Sequence, residues 1–179
     1  WRHKDCAFGF MRLKVKYFKL GVKTSMPIHA YLNIKGKQTG SIPEASEAKE
    51  GIRVYKIDHN LLWPIDVETG EPTGRRHHLP LRICKKIDGS SPLLYRALTS
   101  AELLECDLKL YHWEKGVETH YYSVKLNNSK IMEIRIFEAV AVDPDHEELD
   151  PMEEISFSYD TIIWRHEPTG CEHEDAWRP

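Results

Sequence analysis

Hydrophobic and polar residues alternate along most of the chain with a period of two, which is typical of half-buried β-strands. The alternation is clearest in residues 28–34, where isoleucine, alanine and leucine share one face and polar or tyrosine side chains share the other. It recurs in six later segments, at residues 51–58, 79–87, 104–110, 117–126, 132–142 and 155–164. The pattern therefore predicts about seven strands.

One segment follows the pattern of a helix. Residues 91–98 begin with Ser91, which suits the N-cap, and Pro92, which suits the first turn because it has no N–H group. Leu94 and Leu98 are four residues apart and form an apolar stripe. Many strands and one short helix predict a mainly β fold, an antiparallel two-sheet barrel or sandwich with a capping helix.

Two connections stand out between these elements. Residues 114–116 predict a hairpin turn. Residues 59–80 cannot form one continuous strand or helix, because they contain Pro64, Gly70, Pro72 and Gly74. Long loops of this kind are more often functional than decorative. This loop also carries hydrophobic side chains, namely Leu61, Leu62 and Trp63.

The net charge of −3 hides an uneven distribution. Residues 1–25 have seven basic and one acidic residue, a net of +6, whereas the remaining residues have 18 basic and 27 acidic residues, a net of −9. An acidic body repels phosphate backbones, which argues against a nucleic-acid partner. We interpret residues 1–25 as a basic leader or upstream extension outside the fold, with a membrane-binding segment as the alternative, and residues 26–179 as a single domain.

The apolar runs and the cysteines of the sequence indicate in which cellular compartment the chain folds. No apolar run approaches the ~20 residues that span a bilayer, so no membrane insertion is expected. Residues 1–25 contain no uncharged run long enough for a signal peptide, so we expect folding in the cytoplasm. Residues 26–179 hold three cysteines, and reduced thiols are expected there. Two of these, Cys84 and Cys106, lie in predicted strands and are interpreted as packed side chains rather than nucleophiles.

The search for reactive chemistry gives no firm candidate. His77 and His78 follow two arginines and are interpreted as part of a solvated polar loop, with a metal site as the weaker alternative. His112 and His120 flank the predicted hairpin, and residues 171–173 contain cysteine and histidine in the predicted tail, but neither pair completes a metal site. Residues 143–154 place acids at calcium-loop positions, yet Glu148 stands where glycine is needed, so a solvated acidic loop is favoured.

The nucleophile motif GxSxG and the phosphate-loop motifs GxGxxG and GxxxxGK[ST] do not occur in the sequence. The sequence therefore predicts no catalytic residue, no cofactor and no metal. Exposed hydrophobic residues in the long loop and many sheet edges instead favour self-assembly.

Several segments together resemble the haemolysin-coregulated protein family, Hcp, of bacterial type VI secretion systems. The resemblance is carried, in order, by MPIHAYLNIKG, HNLLWPID with TGEPTGRRHHLP, KKIDGSSPLLYRAL, LKLYHW and ISFSYDTIIWRH. Within the third segment six residues match the family signature: Ile87, Asp88, Ser91, Pro92, Leu94 and Tyr95. Residues 1–25 have no counterpart in the family.

The resemblance implies a two-sheet β-barrel with one short α-helix on its side and no enzymatic activity. Six copies are expected to close into a homohexameric ring, and stacked rings to form the inner tube that a contractile sheath expels. Spike, baseplate and sheath proteins are then the expected partners, together with effector proteins carried in the lumen. The chain is expected to leave the cytoplasm for the extracellular space or a target cell without a signal peptide.

Two sets of candidate residues follow from this interpretation. The expected contacts within and between rings lie in the long loop and are Leu61, Leu62, Trp63, Pro64, Ile65, Arg75 and Arg76. Gly40 and Ser41, after the first strand, are the expected lumen and cargo positions. Two alternatives stay open: a monomeric ligand-binding β-barrel, in which Trp63, Trp113 and Tyr111 stack on the ligand, and a secreted hydrolase.

Overall fold

The computed structural model describes residues 29–42, 51–137 and 151–178. The proposed leader, the loop after Ile42 and residues 143–150 of the acidic segment lie outside these ranges. The described residues form one helix, α1 (Ser91–Thr99), and twelve strands. The strands are β1 (His29–Gly36), β2 (Gly40–Ile42), β3 (Ile52–Val54), β4 (Lys56–Asp58), β5 (Leu61–Leu62), β6 (His77–His78), β7 (Leu81–Lys86), β8 (Leu104–Glu114), β9 (Val117–Phe137), β10 (Met152–Ser158), β11 (Thr161–His166) and β12 (Cys171–Ala176).

Ten strands belong to one large antiparallel sheet, and β5 and β6 form a separate small one. The long strand β9 joins two halves of the large sheet, because its first part pairs with β8 and β11 and its last part, from Lys130, pairs with β10. β3 pairs with β1, whereas β4 pairs with β7, so residues 52–58 cross from one half to the other. The mainly β fold with one helix is confirmed, but the paired strands described here do not close into a barrel.

The alternation predicted for the first strand is confirmed. Ala30, Leu32 and Ile34 are buried, whereas Tyr31 and Asn33 between them are partly exposed on the opposite face. Buried residues on the same face of β8 and at the start of β9 complete this side of the core. Leu94 and Ala97 of α1 are buried against it. Period-two alternation in β1 therefore reflects real burial. In α1 Leu94 is buried, and Leu98 four residues later packs against the core partly buried.

A buried polar network holds the start of α1. The Lys85 ammonium donates to Glu153 Oε1 at 2.8 Å, to Asp88 Oδ1 at 3.0 Å and to Ser91 Oγ at 3.2 Å, and Lys85 and Glu153 are fully buried. The N-cap is Ser90, one residue earlier than predicted. The Ser91 hydroxyl belongs to the network instead: its oxygen accepts from Asp88 N–H at 3.1 Å and from Lys85, and its proton is donated to Glu153 Oε1 at 2.7 Å.

The predicted strand boundaries need four corrections. The segment 51–58 is two strands with a break at Tyr55, and the segments 117–126 and 132–142 belong to one strand as far as Phe137. The segment 155–164 is divided between β10 and β11. Leu79, placed with Leu81 on a strand face, precedes β7 and is exposed. The turn at Lys115–Gly116, with positive φ angles, confirms the predicted hairpin.

The segment predicted as a tail contains a twelfth strand. β12 pairs with β11 along its whole length, from Thr161 opposite Ala176 to His166 opposite Cys171. Its sequence, CEHEDA, contains no large hydrophobic residue, as suits an exposed edge of the sheet. No hydrophobic alternation therefore identifies it as a strand. In the described part of the chain, no helix has the length and apolar character needed to cross a membrane.

Candidate assembly surface

The long loop at residues 59–80, here called the arm, is an ordered ribbon. Leu61 and Leu62 pair with His78 and His77, and Ile65 forms a bridge with Pro72. Near the end of the ribbon, Asp66 Oδ1 accepts hydrogen bonds from the N–H groups of Glu68 and Thr69. These bonds lower the pKa of Asp66 and stabilise a turn in which Gly70 has a φ of +72°.

The apolar residues predicted for subunit contacts lie exposed along this ribbon. Leu61, Leu62 and Ile65 are exposed, Pro64 is partly exposed, and 53% of Trp63 is accessible although its indole N–H donates to Gly74 O at 3.1 Å. Val67 at the turn is 95% exposed and was not among the predicted residues. A contiguous set of exposed hydrophobic side chains on a hydrogen-bonded ribbon is typical of an interaction surface.

The two arginines of the arm differ. Arg75 is exposed, as the prediction of a contact residue requires. Arg76 instead binds Asp175 within the same chain through both its Nε, at 2.7 Å, and its terminal nitrogen. This bidentate pair lowers the pKa of Asp175, so the carboxylate stays charged. Arg76 therefore fixes the root of the arm, that is, its two ends around His59 and residues 76–78, to β12. Its contact with another subunit stays a prediction.

A relay of hydrogen bonds anchors the arm root. Tyr159 Oη lies 2.8 Å from His59 Nε2 and 3.0 Å from His78 Nδ1, and His78 Nε2 lies 3.2 Å from Asp175 Oδ2. Because a carboxylate only accepts, His78 Nε2 carries a proton. The Tyr159 hydroxyl is the shared hydrogen-bond partner of both histidines.

Aromatic side chains surround the relay and shield most of it from solvent. Trp177 packs on Tyr159 with ring centroids 4.9 Å apart, and Trp164 lies 5.9 Å from His59. Burial raises the pKa of Tyr159, which keeps its hydroxyl protonated. Burial is the main cause that lowers the pKa of His59, and the nearby His78 ring lowers it further. The interpretation of His78 as part of a solvated loop is therefore wrong, since its side chain is buried in this relay. His77 beside it is exposed.

Gly40 and Ser41 begin β2, after a tight turn at Lys37–Thr39. Glu102 accepts hydrogen bonds from the N–H of Gln38 and from the N–H and hydroxyl of Thr39 at 2.7 and 2.6 Å, which fixes this turn against the end of α1. Gly40 has a φ of +75°, and Ser41 is exposed at the margin of a shallow polar depression. The positions are accessible, and their role as cargo contacts stays a prediction.

The remaining candidates do not assemble a catalytic or metal centre. His120 Nε2 lies 3.0 Å from Ser123 Oγ, but that hydroxyl donates to Glu167 at 2.7 Å and is buried, so the order of a Ser-His-acid triad is not met. Within the described ranges, no three histidine, cysteine or acidic residues are grouped to hold a metal. Cys84 and Cys106 are buried free thiols, as predicted, and Cys171 is an exposed one.

The residues proposed for ligand stacking are also dispersed. Trp113 and Tyr111 lie on β8, where Trp113 packs edge-on against His29 and Tyr111 stacks on His120 with centroids 5.0 Å apart. Trp63 lies on the arm and bonds to Gly74. These side chains make separate contacts with neighbouring residues, which gives the ligand-binding alternative no common site.

Comparison with known proteins decides between these interpretations. A family model described as "Type VI secretion system effector, Hcp" matches residues 31–166, well over half of the chain. The chain belongs to the Hcp family. It is also 31% identical to the "Major exported protein" of Pseudomonas aeruginosa, in a match that covers 86% of this chain and 97% of the relative.

Solved Hcp structures agree with this assignment. A crystal structure of an Hcp protein has a TM-score of 0.79 at 25% identity and covers 85% of this chain and 99% of its own. A tryptophan double mutant of Hcp1 from the E. coli EAEC 042 pathovar has a TM-score of 0.72 at 32% identity, with 86% and 99% covered. Family membership identifies the chain as a type VI secretion tube subunit and supports its secretion, and it favours neither the ligand-binding nor the hydrolase alternative.

Sequence reasoning missed the root of the arm because its partners are distant in the chain. Asp175 and Trp177 lie in the segment predicted as a tail, and Tyr159 lies in the predicted strand at residues 155–164. The short motif HH at residues 77–78, between a long loop and a hydrophobic strand, was the one available signal. Histidine pairs are common in solvated loops, so this signal alone could not identify a buried relay.

Proposed function

We propose that the chain closes into rings of six and that these rings stack into the inner tube of a type VI secretion system, with the arm as a main contact. The observation that carries this proposal is the arm itself. It exposes Leu61, Leu62, Trp63 and Ile65 while its root is anchored by Arg76–Asp175. A ribbon held in place by its own hydrogen bonds loses little conformational entropy when a partner covers it.

The finer elements of the proposal rest on family membership. Residues 26–179 form the subunit, Ser41 and Gly40 face the lumen and contact effector cargo, and sheath, spike and baseplate proteins are the partners of the tube. The chain is made in the cytoplasm and expelled into the extracellular space or a target cell. A heterologous interface that closes gives a ring, and contacts between opposite faces give a stack.

Trp63→Ala tests the role of the arm. The truncation removes an exposed contact worth on the order of 2 kcal/mol or more if it is buried between subunits, because buried aromatic residues dominate interfaces. We expect gel filtration with light scattering, followed by negative-stain microscopy, to show fewer rings or stacks than wild type. The thermal melting temperature should be unchanged within error. Lys115→Ala, at the β8–β9 turn, is the matched exposed control.

Two results would count against the proposal. A wild-type chain that stays monomeric at high concentration would contradict ring formation. A Trp63→Ala chain that loses assembly and also melts at a lower temperature than wild type at concentrations where both are monomeric would show that the arm belongs to the folded core and is not primarily a contact surface.

A further inference from the structure

The last strand, β12, leaves one edge of the large sheet without a partner strand in the described part of the chain. Such an edge offers a row of backbone N–H and C=O groups to any extended segment that fits it. Three of its six residues are acidic, and none is lysine or arginine. Two copies of β12 would therefore repel each other, and the edge favours a basic strand.

The two faces of β12 differ in character. Glu172 and Glu174 are exposed on the outer face, and Glu174 makes no ion pair within the described ranges. On the inner face His173 stacks on Trp164 with ring centroids 5.8 Å apart, and Trp164 packs against the core. A strand added to this edge should therefore place cations outside and apolar side chains inside.

A segment with this pattern precedes β1 in the sequence, outside the described ranges. Residues 12–17, here called the basic segment, read RLKVKY, so three cations alternate strictly with leucine, valine and tyrosine. Period-two alternation of this kind is typical of a strand with one charged and one apolar face. The basic segment has six residues, the same number as β12. It therefore matches the edge in length, charge and apolar character.

The other terminal strands of the large sheet suit a basic partner less well. β3 carries Arg53, β4 carries Lys56 beside Asp58, and β2 has no charged residue. A basic strand would be repelled at β3 and would find no net attraction at β2 or β4. Among the terminal strands in the described ranges, charge therefore selects β12.

The chain between the basic segment and β1 is long enough to reach this edge. β1 begins at His29, and the pairs through β8, β9 and β11 place Cys171 about four strands away at the same end of the sheet. Four strand spacings amount to roughly 19 Å. Residues 18–28 can span up to roughly 36 Å, so they can connect β1 to a segment paired antiparallel with β12.

We propose that the basic segment adds a strand to the β12 edge of its own chain, antiparallel to β12, and so caps this edge against pairing with other chains. Directly opposite residues of antiparallel strands share a face. In the register that matches both faces the opposite pairs are Lys14–Glu174, Val15–His173, Lys16–Glu172 and Tyr17–Cys171. The proposal departs from the interpretation of residues 1–25 as a segment outside the fold, and it does not depend on tube assembly.

Exchange of one charge pair tests this register in the full chain. Lys14→Glu places a like charge opposite Glu174, whereas Lys14→Glu with Glu174→Lys restores an attractive pair in reversed order. Hydrogen exchange by mass spectrometry on peptides covering residues 171–176 gives the readout, because a docked strand protects the outward amides of β12. We expect about fivefold faster exchange there in Lys14→Glu than in wild type, and the wild-type rate again in the double variant.

Lys4→Glu is the matched control. It makes the same charge change in the same basic stretch of sequence but lies outside the six residues of the basic segment. Exchange of the β12 amides should therefore remain as in wild type. The comparison separates a specific pair from a general effect of net charge.

A disulfide reports the contact independently of charge. In Tyr17→Cys with Cys6→Ser, the new thiol should lie opposite the exposed Cys171, and mild oxidation should link the two within one chain. The product should migrate as a monomer on non-reducing gels with an intact mass lower by two hydrogens. Cys171→Ser should abolish the link, and Phe8→Cys in place of Tyr17→Cys should form it more slowly.

Three results would overturn the inference. Equal β12 exchange in wild type, Lys14→Glu and the double variant would show that no basic strand covers the edge. Equal rates of linking from positions 8 and 17 would show that the segment has no fixed register. Linked dimers in place of linked monomers would assign the strand to a second copy of the chain.

Discussion

Removal of the Tyr159 hydroxyl tests whether the relay at the root holds the arm in place. In Tyr159→Phe the ring keeps its packing on Trp177, so the hydrophobic core should be little changed. The substitution removes the hydroxyl that forms hydrogen bonds with both His59 Nε2 and His78 Nδ1. The change therefore isolates two hydrogen bonds from the packing around them.

The size of the effect follows from the burial of the two histidines. A net hydrogen bond contributes about 0.5–1.5 kcal/mol, and a buried polar atom left without a partner costs about 1–3 kcal/mol. The His78 side chain is fully buried and would lose a partner, whereas the half-exposed His59 can turn to water. We expect the arm to lose about 2–3 kcal/mol of local stability, which corresponds to roughly 30- to 150-fold faster opening.

Hydrogen exchange measured by mass spectrometry on peptides of the arm gives the readout. The amides of Asp66, Thr73 and Leu79 form hydrogen bonds inside the arm and should exchange faster in the variant. Peptides of β1 and β8 should exchange as in wild type. Tyr122→Phe is the matched control, because Tyr122 packs on the core and its hydroxyl makes no hydrogen bond in the described part of the chain.

Two outcomes would refute the reasoning. Unchanged exchange in the arm would show that Arg76–Asp175 and the β5–β6 pairing suffice without the relay. Equal acceleration across arm and core would show that Tyr159 stabilises the whole fold. Only acceleration confined to the arm supports a relay that acts on the arm.

Two further predictions follow from buried and titratable groups. Lys85→Met should lower the free energy of unfolding by about 3–5 kcal/mol in urea denaturation, because it leaves the buried Glu153 carboxylate without its cation. Lys85→Met with Glu153→Leu should recover most of that loss, and a double variant as unstable as the single one would contradict this explanation. The second prediction concerns pH. The pKa of His59 is lowered in the folded chain, so the unfolded chain takes up protons first and stability falls as the pH drops below about 6.5. Hydrogen exchange in the arm should therefore accelerate between pH 7 and 5, after correction for the intrinsic rate. His59→Gln, which keeps an N–H donor, should reduce that acceleration. An equal acceleration in wild type and variant would exclude His59 as the cause.

The sequence predicted the core well because burial there follows the periodicity of each element. β1 shows alternation of buried and partly exposed positions, and α1 buries Leu94 as its spacing requires. The arm was predicted as a long loop that carries hydrophobic residues and forms no continuous strand or helix, which is correct, but its internal pairing was not visible. Two-residue strands such as Leu61–Leu62 are too short to show any period.

Strand β12, which the sequence did not predict, shows the limit of reasoning from hydrophobic periodicity. β12 has polar residues on both faces, and its existence depends on pairing with β11 rather than on its own hydrophobicity. The intrachain ion pair of Arg76 was missed for the same reason, because its partner Asp175 lies on that strand. Periodicity reports which face is buried, so it cannot report an edge strand that buries neither face.

The edge strand nevertheless determines how the exposed hydrophobic residues of the arm are presented. Asp175 on β12 and Trp177 just after it contact the arm root, so β12 connects the large sheet to the arm. A flexible loop with the same apolar residues would lose conformational entropy on binding and would also expose them to unspecific association. Anchoring the root removes much of that entropic cost before any contact forms. An Asp175→Asn chain should therefore assemble less well although no residue of the exposed surface has changed, and assembly equal to wild type would separate the anchor from the contact.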